Sequence, residues 1–326
     1  MSKYYNQLTD DERIEIYAMR QAGNSIKEIA EALDRHRSTI NREINRNAGQ
    51  KGYRPKQAHK KALRRRHQAA KAVKMTTETI GYINEKIALD WSAEQIAGTM
   101  KTDPDFPGLP VSHERIYQYI WQDKQEGGHL YQHLRIANNK KKRKRYGKRD
   151  SRGKIRNRKD IDQRPAIVEK KKRLGDWEAD LVVGTGRIGY LVTLTERVSR
   201  KTLIGYVRHK KAEMVTNEII SLLKDCKNNL HTITFDNGHE FAGHETIAAA
   251  LDCQCYFAKP YHSWERGLNE NTNGLIRQYF PKKQPLGNVS QYKLNYVMER
   301  LNNRPRKILG FKTPNKVYSE KLKTAA

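Results

Sequence analysis

The chain has 326 residues, enough for two or three domains that each bury a core. Lys and Arg number 64 against 36 Asp and Glu, a net charge of +28 that calls for a polyanionic partner rather than a membrane or a small-molecule substrate. Three cysteines exclude a disulfide framework, and no apolar run approaches the roughly 18 residues of a membrane span, so a cytoplasmic protein is expected.

Thr9-Asp10-Asp11-Glu12 is a capping box in which hydroxyl and carboxylate satisfy orphan amides reciprocally. Ile14, Ile16, Tyr17 and Met19 follow as the apolar positions of a first helix, which Gly23 stops. Ser25-Ile26-Lys27-Glu28 repeats the device and opens a short helix through Ile29, Ala30 and Leu33; a third helix starts near Ser38 and runs to Arg46. Two capped helices, a turn and a third helix with Arg35, Arg37, Ser38, Thr39, Asn41 and Arg42 describe a helix-turn-helix over residues 1–50, because Arg and Asn pair bidentately with guanine and adenine edges. The alternative is a plain three-helix bundle with a polar face. Residues Lys51 to Lys74 then hold ten Lys/Arg and no acid, including Arg64, Arg65 and Arg66, a run suited to tracking phosphates.

Residues 51–134 continue with Ser92 and Ser112 as N-caps of two further helices, joined by a Pro/Gly-rich loop. This is either a second DNA-reading unit or a structural hairpin that presents the second half of the chain. Residues 135–173 carry 19 basic and 4 acidic groups, with Lys141, Arg143 and Arg145 at the centre of a run that has almost nothing apolar to bury. It reads as a flexible basic linker that follows phosphates without reading sequence.

From residue 174 to 326 the period changes. Three β-type runs, Trp177 to Gly184, Tyr190 to Glu196 and Thr202 to Arg208, precede a helical stretch from Lys211 to Leu230, a strand ending at Asp236, a helix at His244–Leu251, a strand from Cys253 to Ala258 and a helix containing Glu270. This order predicts an α/β core with a mixed sheet. Cys253 and Cys255 share one buried face, and Trp177 and Trp264 read as packing anchors.

A carboxylate in a strand costs free energy to bury unless paired, and converging carboxylates repel unless a cation lies between them. Asp180 interrupts the first strand, Asp236 ends a later one before the turn pair Asn237-Gly238, and Glu270 follows thirty-four positions on. That pattern suits magnesium-dependent phosphoryl transfer. Asp176 and Glu178 compete with Asp180 for the first position; Asp180 lies inside the apolar run and shares a strand face with Glu178 and Val182. Asn273 and Arg277 stand on the Glu270 face of their helix, Asn273 suited to touch DNA or orient Glu270, and Arg277 to hold a phosphate or to pair with Glu270 or Glu299. Ser263 or Asn269 starts that helix. His239 and Glu240 line the cleft, His239 as a neighbour rather than a ligand, and Lys259, Tyr261 and His262 are placed to touch DNA.

Asp176-Trp177-Glu178-Ala179-Asp180, Phe235-Asp236-Asn237-Gly238-His239-Glu240-Phe241, the segment Glu265 to Arg277, and Asn302-Asn303-Arg304-Pro305-Arg306 resemble the transposases of the insertion-sequence-thirty family. The resemblance covers essentially the whole chain and departs at Ala179, where relatives more often have Gly. It implies a ribonuclease-H-like catalytic core, Asp180, Asp236 and Glu270 as catalytic and metal-holding residues, two Mg²⁺ per site with Mn²⁺ as substitute, and double-stranded DNA, transposon ends and target, as partner. It further implies 3′-end cleavage followed by strand transfer, a homodimer or homotetramer on DNA, and a nucleoid-associated bacterial protein. Two other readings stay open at this point: a DNA-binding regulator with a decayed core, and a metal-dependent endonuclease without strand transfer.

Overall fold

The computed structural model describes residues 6–69, 74–135, 155–186, 188–259, 267–282 and 284–325. The chain divides into two compact units, Met1–Val73 and Lys74–Ala326.

The first unit holds α1 (Asp10–Gln21), α2 (Ile26–Ala32), α3 (Arg37–Asn47) and α4 (Pro55–Gln68). Both capping boxes form, each Ser or Thr hydroxyl accepting from the amide of the Glu three residues on while that Glu accepts in return. Ile16, Ile29 and Ile40 make the centre of the core, with Leu8, Ala30, Ile44, Tyr53 and Ala58 around them. The α1 face differs from the apolar one read in the sequence: Ile14 and Tyr17 are exposed, and Arg13 is buried instead. Positions 13 and 16 lie one turn apart on the inner stripe, and Arg13 is tolerated there because Nε donates to Glu43 at 2.8 Å and Nη1 to the Leu8 carbonyl at 2.7 Å. Tyr53 also donates to Glu43, and burial beside that carboxylate pushes its phenol up. α3 starts at Arg37, one residue earlier than expected, because the His36 ring accepts from the Ser38 amide and caps it. α4 begins with Pro at its first turn, where a missing N–H is harmless, and packs on α1 and α3. The helical unit therefore extends past residue 50.

In the second unit α5 (Thr77–Ala88), α6 (Ala93–Thr102) and α7 (His113–Gln125) enclose Ile83, Ile87, Ile96, Met100, Ile116 and Ile120, with Thr76, Ser92 and Ser112 as N-caps. After α8 (Ala166–Lys170) come β1 (Asp176–Val183), β2 (Tyr190–Glu196), β3 (Thr202–Val207), α9 (Ala212–Leu223), β4 (Thr232–Phe235), α10 (His244–Leu251), β5 (Gln254–Phe257), α11 (Gly267–Tyr279), α12 (Gln291–Asn302) and α13 (Pro314–Ala325). The helical run expected from Lys211 to Leu230 tightens after Leu223 into a 3-10 stretch, Lys224–Asn229.

The sheet order is β3-β2-β1-β4-β5, antiparallel across β1, β2 and β3 and parallel from β1 through β4 to β5. This is the mixed sheet of a ribonuclease-H-like core. Alternation along the strands separates two faces. Trp177, Ala179, Val192, Leu194 and Ile233 pack against α9 and α10, whereas Val182, Leu191 and Ile204 pack against α11 and α12. Cys253 and Cys255 are both buried in the first of these cores. Trp177 is fully buried there; Trp264 lies outside the described residues.

The α5–α7 bundle docks on the core through polar contacts. Tyr279 at the end of α11 donates to Asp90 at 2.9 Å, Gln95 donates to the Pro305 carbonyl at 2.8 Å, and Lys307 pairs with Glu94 at 2.6 Å. No described helix is long and apolar enough to cross a membrane.

Candidate active site

Gly175 sets the alignment on which the site depends. It sits immediately before β1 at φ +94°, and a Cβ there would lie 1.7 Å from the Asn229 carbonyl oxygen, so only glycine fits. Its own carbonyl accepts from the amides of both His231 and Thr232, at 2.8 and 3.2 Å. β1 and β4 thereby start together, with Asp176 opposite Thr232, Trp177 opposite Ile233 and Glu178 opposite Thr234. The paired register ends there, and Asp180 and Asp236 each stand two residues beyond the last of those partners. Alternation along β1 puts Asp180 on the same face as Asp176, Glu178 and Val182, the face that packs against α11.

Three acidic residues alternate onto that face of β1, and their surroundings differ. Asp176 is buried, receives both Nε and Nη2 of Arg173 at 3.0 and 3.1 Å, and accepts from Thr232 at 2.8 Å. Glu178 is buried and accepts from Arg197 at 2.5 Å. Asp180 is half-buried, and its Oδ2 accepts from the Asn273 amide of α11 at 2.6 Å. Thr193, its partner across β2, donates to the Asp180 carbonyl at 3.1 Å.

α11 is held on β1 along one stripe. Asn269 is buried and donates to the Ala179 carbonyl at 3.3 Å, so it lies inside the helix rather than starting it; Ser263 lies outside the described residues. Asn273 follows one turn later on Asp180, and Arg277 another turn later donates to the Val183 carbonyl at 2.7 Å and to that of Phe280 at 3.4 Å. Burial holds the Arg277 guanidinium below its usual value. Glu270, next to Asn269 in the first turn, is exposed. Asp236 is half-buried and accepts from the Gly238 amide at 2.8 Å, which closes the turn after β4; Asn237 ties that turn to the Ala258 carbonyl and to Arg158. Glu240 is buried against Lys210 at 2.9 Å, His239 is exposed, and Lys259 pairs with Asp162. Tyr261 and His262 lie outside the described residues. Among the described residues no group of three or more His, Cys, Asp or Glu side chains is gathered closely enough to hold a metal ion.

The stripe Asn269, Asn273, Arg277 is spaced by four residues, a helical signal readable in the sequence, but its partners Ala179, Asp180 and Val183 lie about ninety residues away. Arg197 and Gly175 carried no signal beyond composition.

On the first unit, Arg37, Asn41 and Arg42 are exposed along α3, with Ser38 and Thr39 half-buried at its start. Arg42 donates to the Ser38 hydroxyl at 2.9 Å. Arg35 instead bridges to Glu12 at 2.7 Å, where burial of the carboxyl is outweighed by Arg35 and the Thr9 amide and its pKa falls below the usual range. Arg64 and Arg66 are exposed on α4, and Arg65 donates to Asn47 at 2.6 Å. Lys141, Arg143 and Arg145 lie outside the described residues.

Residues 4–47 match the family described as "Helix-turn-helix domain". Over 98% of its length and 97% of the relative's, the chain is 42% identical to the transposase for insertion sequence element IS4351 of Bacteroides fragilis. It is 38% identical, over 95% of its length and 82% of the relative's, to transposase InsI for insertion sequence element IS30A of Escherichia coli K12. The transposase for insertion sequence element IS1086 of Cupriavidus metallidurans is 34% identical over 98% of this chain and 96% of its own. Likeness of this degree along nearly the whole of several transposases, on a mixed-sheet core preceded by a DNA-binding helix-turn-helix, means that the chain belongs to the IS30 family of divalent-metal-dependent DNA transposases.

Proposed function

We propose that Asp180, Asp236 and Glu270 are the catalytic carboxylates of this transposase and that together they hold two Mg²⁺ ions, for which Mn²⁺ substitutes. The observation that supports the reading is the β1–β4 register, paired as far as Glu178 opposite Thr234 with Asp180 and Asp236 each two residues beyond those partners, on a sheet whose β1 also packs against α11, the helix that carries Glu270. The donor set has the right chemistry: two half-buried carboxylates and one exposed one, all oxygen and open to water. Mg²⁺ prefers a few such ligands and keeps several waters, so neither His nor Cys is needed. When bound, such a pair of ions activates the attacking oxygen and stabilises the leaving one in line.

The protein's own part is positioning. The Asn273 amide fixes one oxygen of Asp180, Asn269 seats the first turn of α11 on β1, and Arg277 anchors its third turn to Val183. The same site serves two reactions, which differ only in the attacking hydroxyl: water cuts at a transposon end to free a 3′-OH, and that hydroxyl then attacks a second phosphodiester. Arg37, Ser38, Thr39, Asn41 and Arg42 of α3 read base edges, while Arg64, Arg66, Lys141, Arg143 and Arg145 follow phosphates. Arg35 and Arg65 support that surface through Glu12 and Asn47. Joining both ends of an element requires at least two sites, hence a dimer or tetramer on DNA.

The test is DNA bearing the element's ends, incubated with Mg²⁺ and followed for nicked and joined strands. Asp180→Asn, Asp236→Asn and Glu270→Gln should each remove both products while DNA binding stays within about twofold of wild type. Retained nicking in any one variant, or loss of binding in all three, rules the assignment out.

A further inference from the structure

A cleft of about 880 Å³ opens in the second unit at the N-terminal end of α11, lined by Lys171, Arg197, Arg200 and Arg306 together with Gly267 and Asn271 of the helix. Its cations arrive from three separate segments: the end of α8, the β2–β3 turn and the α12–α13 connection. Arg197 is 3% exposed, engaged at Nη1 by Glu178 and at Nη2 by Glu169, and its Nε has no hydrogen-bond partner among the described residues. The Nε of Arg200 is likewise buried and without a hydrogen-bond partner among the described residues. Arg306 gives one donor to the Leu301 carbonyl; burial, reinforced by Arg304, pulls its guanidinium down to about 9.

Three carboxylates also face the cleft, and each is engaged. Glu178 holds Arg197, Glu169 bridges Arg164 and Arg197, and Asp162 pairs with Lys259 outside the lining. Arg164, the fifth lining cation, is buried and donates to Thr234. Five cations against three carboxylates leave positive charge in excess along the lining. A desolvated guanidinium with an unmet donor is costly unless an anion completes it.

The cleft adjoins the carboxylate site. Glu178 lines it and stands two residues before Asp180 on the same strand face, roughly 7 Å away by strand rise. Asn271 follows Glu270 directly. Resting on the reading of Asp180, Asp236 and Glu270 as the reacting site, we propose that this cleft holds a backbone phosphate of the bound DNA strand, close to the phosphodiester that reacts.

The test uses the full-length protein in EDTA, where no strand is cut, and duplexes carrying the terminal sequence that flanks its own gene. A single uncharged methylphosphonate is placed in turn at each phosphate around the cut. For wild type, one position should weaken binding about tenfold, the scale of a charge-assisted contact. Arg200→Gln should bind unmodified DNA about tenfold more weakly and lose nothing further at that position, and Lys171→Gln, an exposed site, should show the same coupling to a smaller degree. Thermal melting of each variant checks that it is folded. Losses that multiply independently at every position overturn the proposal. So does a melting temperature raised by inorganic phosphate in wild type but not in Arg200→Gln, with no position coupled, since the cleft would then take a free anion. Failure of the carboxylate reading would appear as cleavage by Asp180→Asn, whereas the binding coupling is read without any chemistry.

Discussion

The amide of Asn273 meets Asp180, while arginines meet the two other acids on its strand face. Asp176 and Glu178 are held by the charged partners Arg173 and Arg197, whereas Asp180 accepts from the neutral Asn273 amide at 2.6 Å. Asn273 is on this argument a positioning residue. Asn273→Ala should lower cleavage by about 10- to 100-fold, the usual scale for a residue that orients a metal-holding carboxylate, and should raise the Mg²⁺ concentration for half-maximal activity. Binding of DNA should be unchanged. A Mg²⁺ titration whose midpoint does not move would show that the contact only packs the helix. Arg277, by contrast, anchors α11 through the carbonyl oxygens of Val183 and Phe280.

At the scale of elements, the alignment of β1 with β4 is the feature on which the rest of the site depends. A strand slipped by one residue turns every side chain to the opposite face, which would move Asp180 into the apolar core under α9. Gly175 prevents the slip by holding both His231 and Thr232 on its carbonyl, in a backbone conformation that other residues enter at a cost. Gly175→Ala adds a methyl that collides with Asn229 and should destabilise the protein by more than about 3 kcal/mol, with cleavage falling together with thermal stability. A melting temperature within about 2 °C of wild type would remove Gly175 from this role. α11 then depends on β1 in turn, because its polar stripe finds partners only when the strand presents Ala179, Asp180 and Val183 to it.

Across the whole molecule the decisive property is charge. The net +28 is concentrated in residues 135–173, with 19 basic groups against 4 acidic ones. Phosphate contacts by such a segment would act through counterion release, so they would show in the salt dependence of affinity more than in sequence preference. Changing Lys141, Arg143 and Arg145 together to Gln should make the slope of log K against log salt shallower by about 2 to 3, measured on DNA of unrelated sequence. An unchanged slope would mean that these side chains do not touch the backbone.

Much of this was legible in the linear sequence, and the reason is range. Capping boxes at Thr9 and Ser25, N-caps at Ser92 and Ser112, the two strand periodicities and the basic runs all arise from residues a few positions apart, and local propensity and solvation are enough to specify them. The acids Asp180, Asp236 and Glu270 stood out because a carboxylate in or beside an apolar run demands an explanation. Tertiary structure alone decided which acid each arginine claims, that Arg13 is buried where Ile14 and Tyr17 are not, and that Asn273 meets Asp180 across ninety-three residues of chain. Those choices are made by packing and by hydrogen bonds between distant segments, whose energies compete only once the strands are in register. No local pattern contains that information.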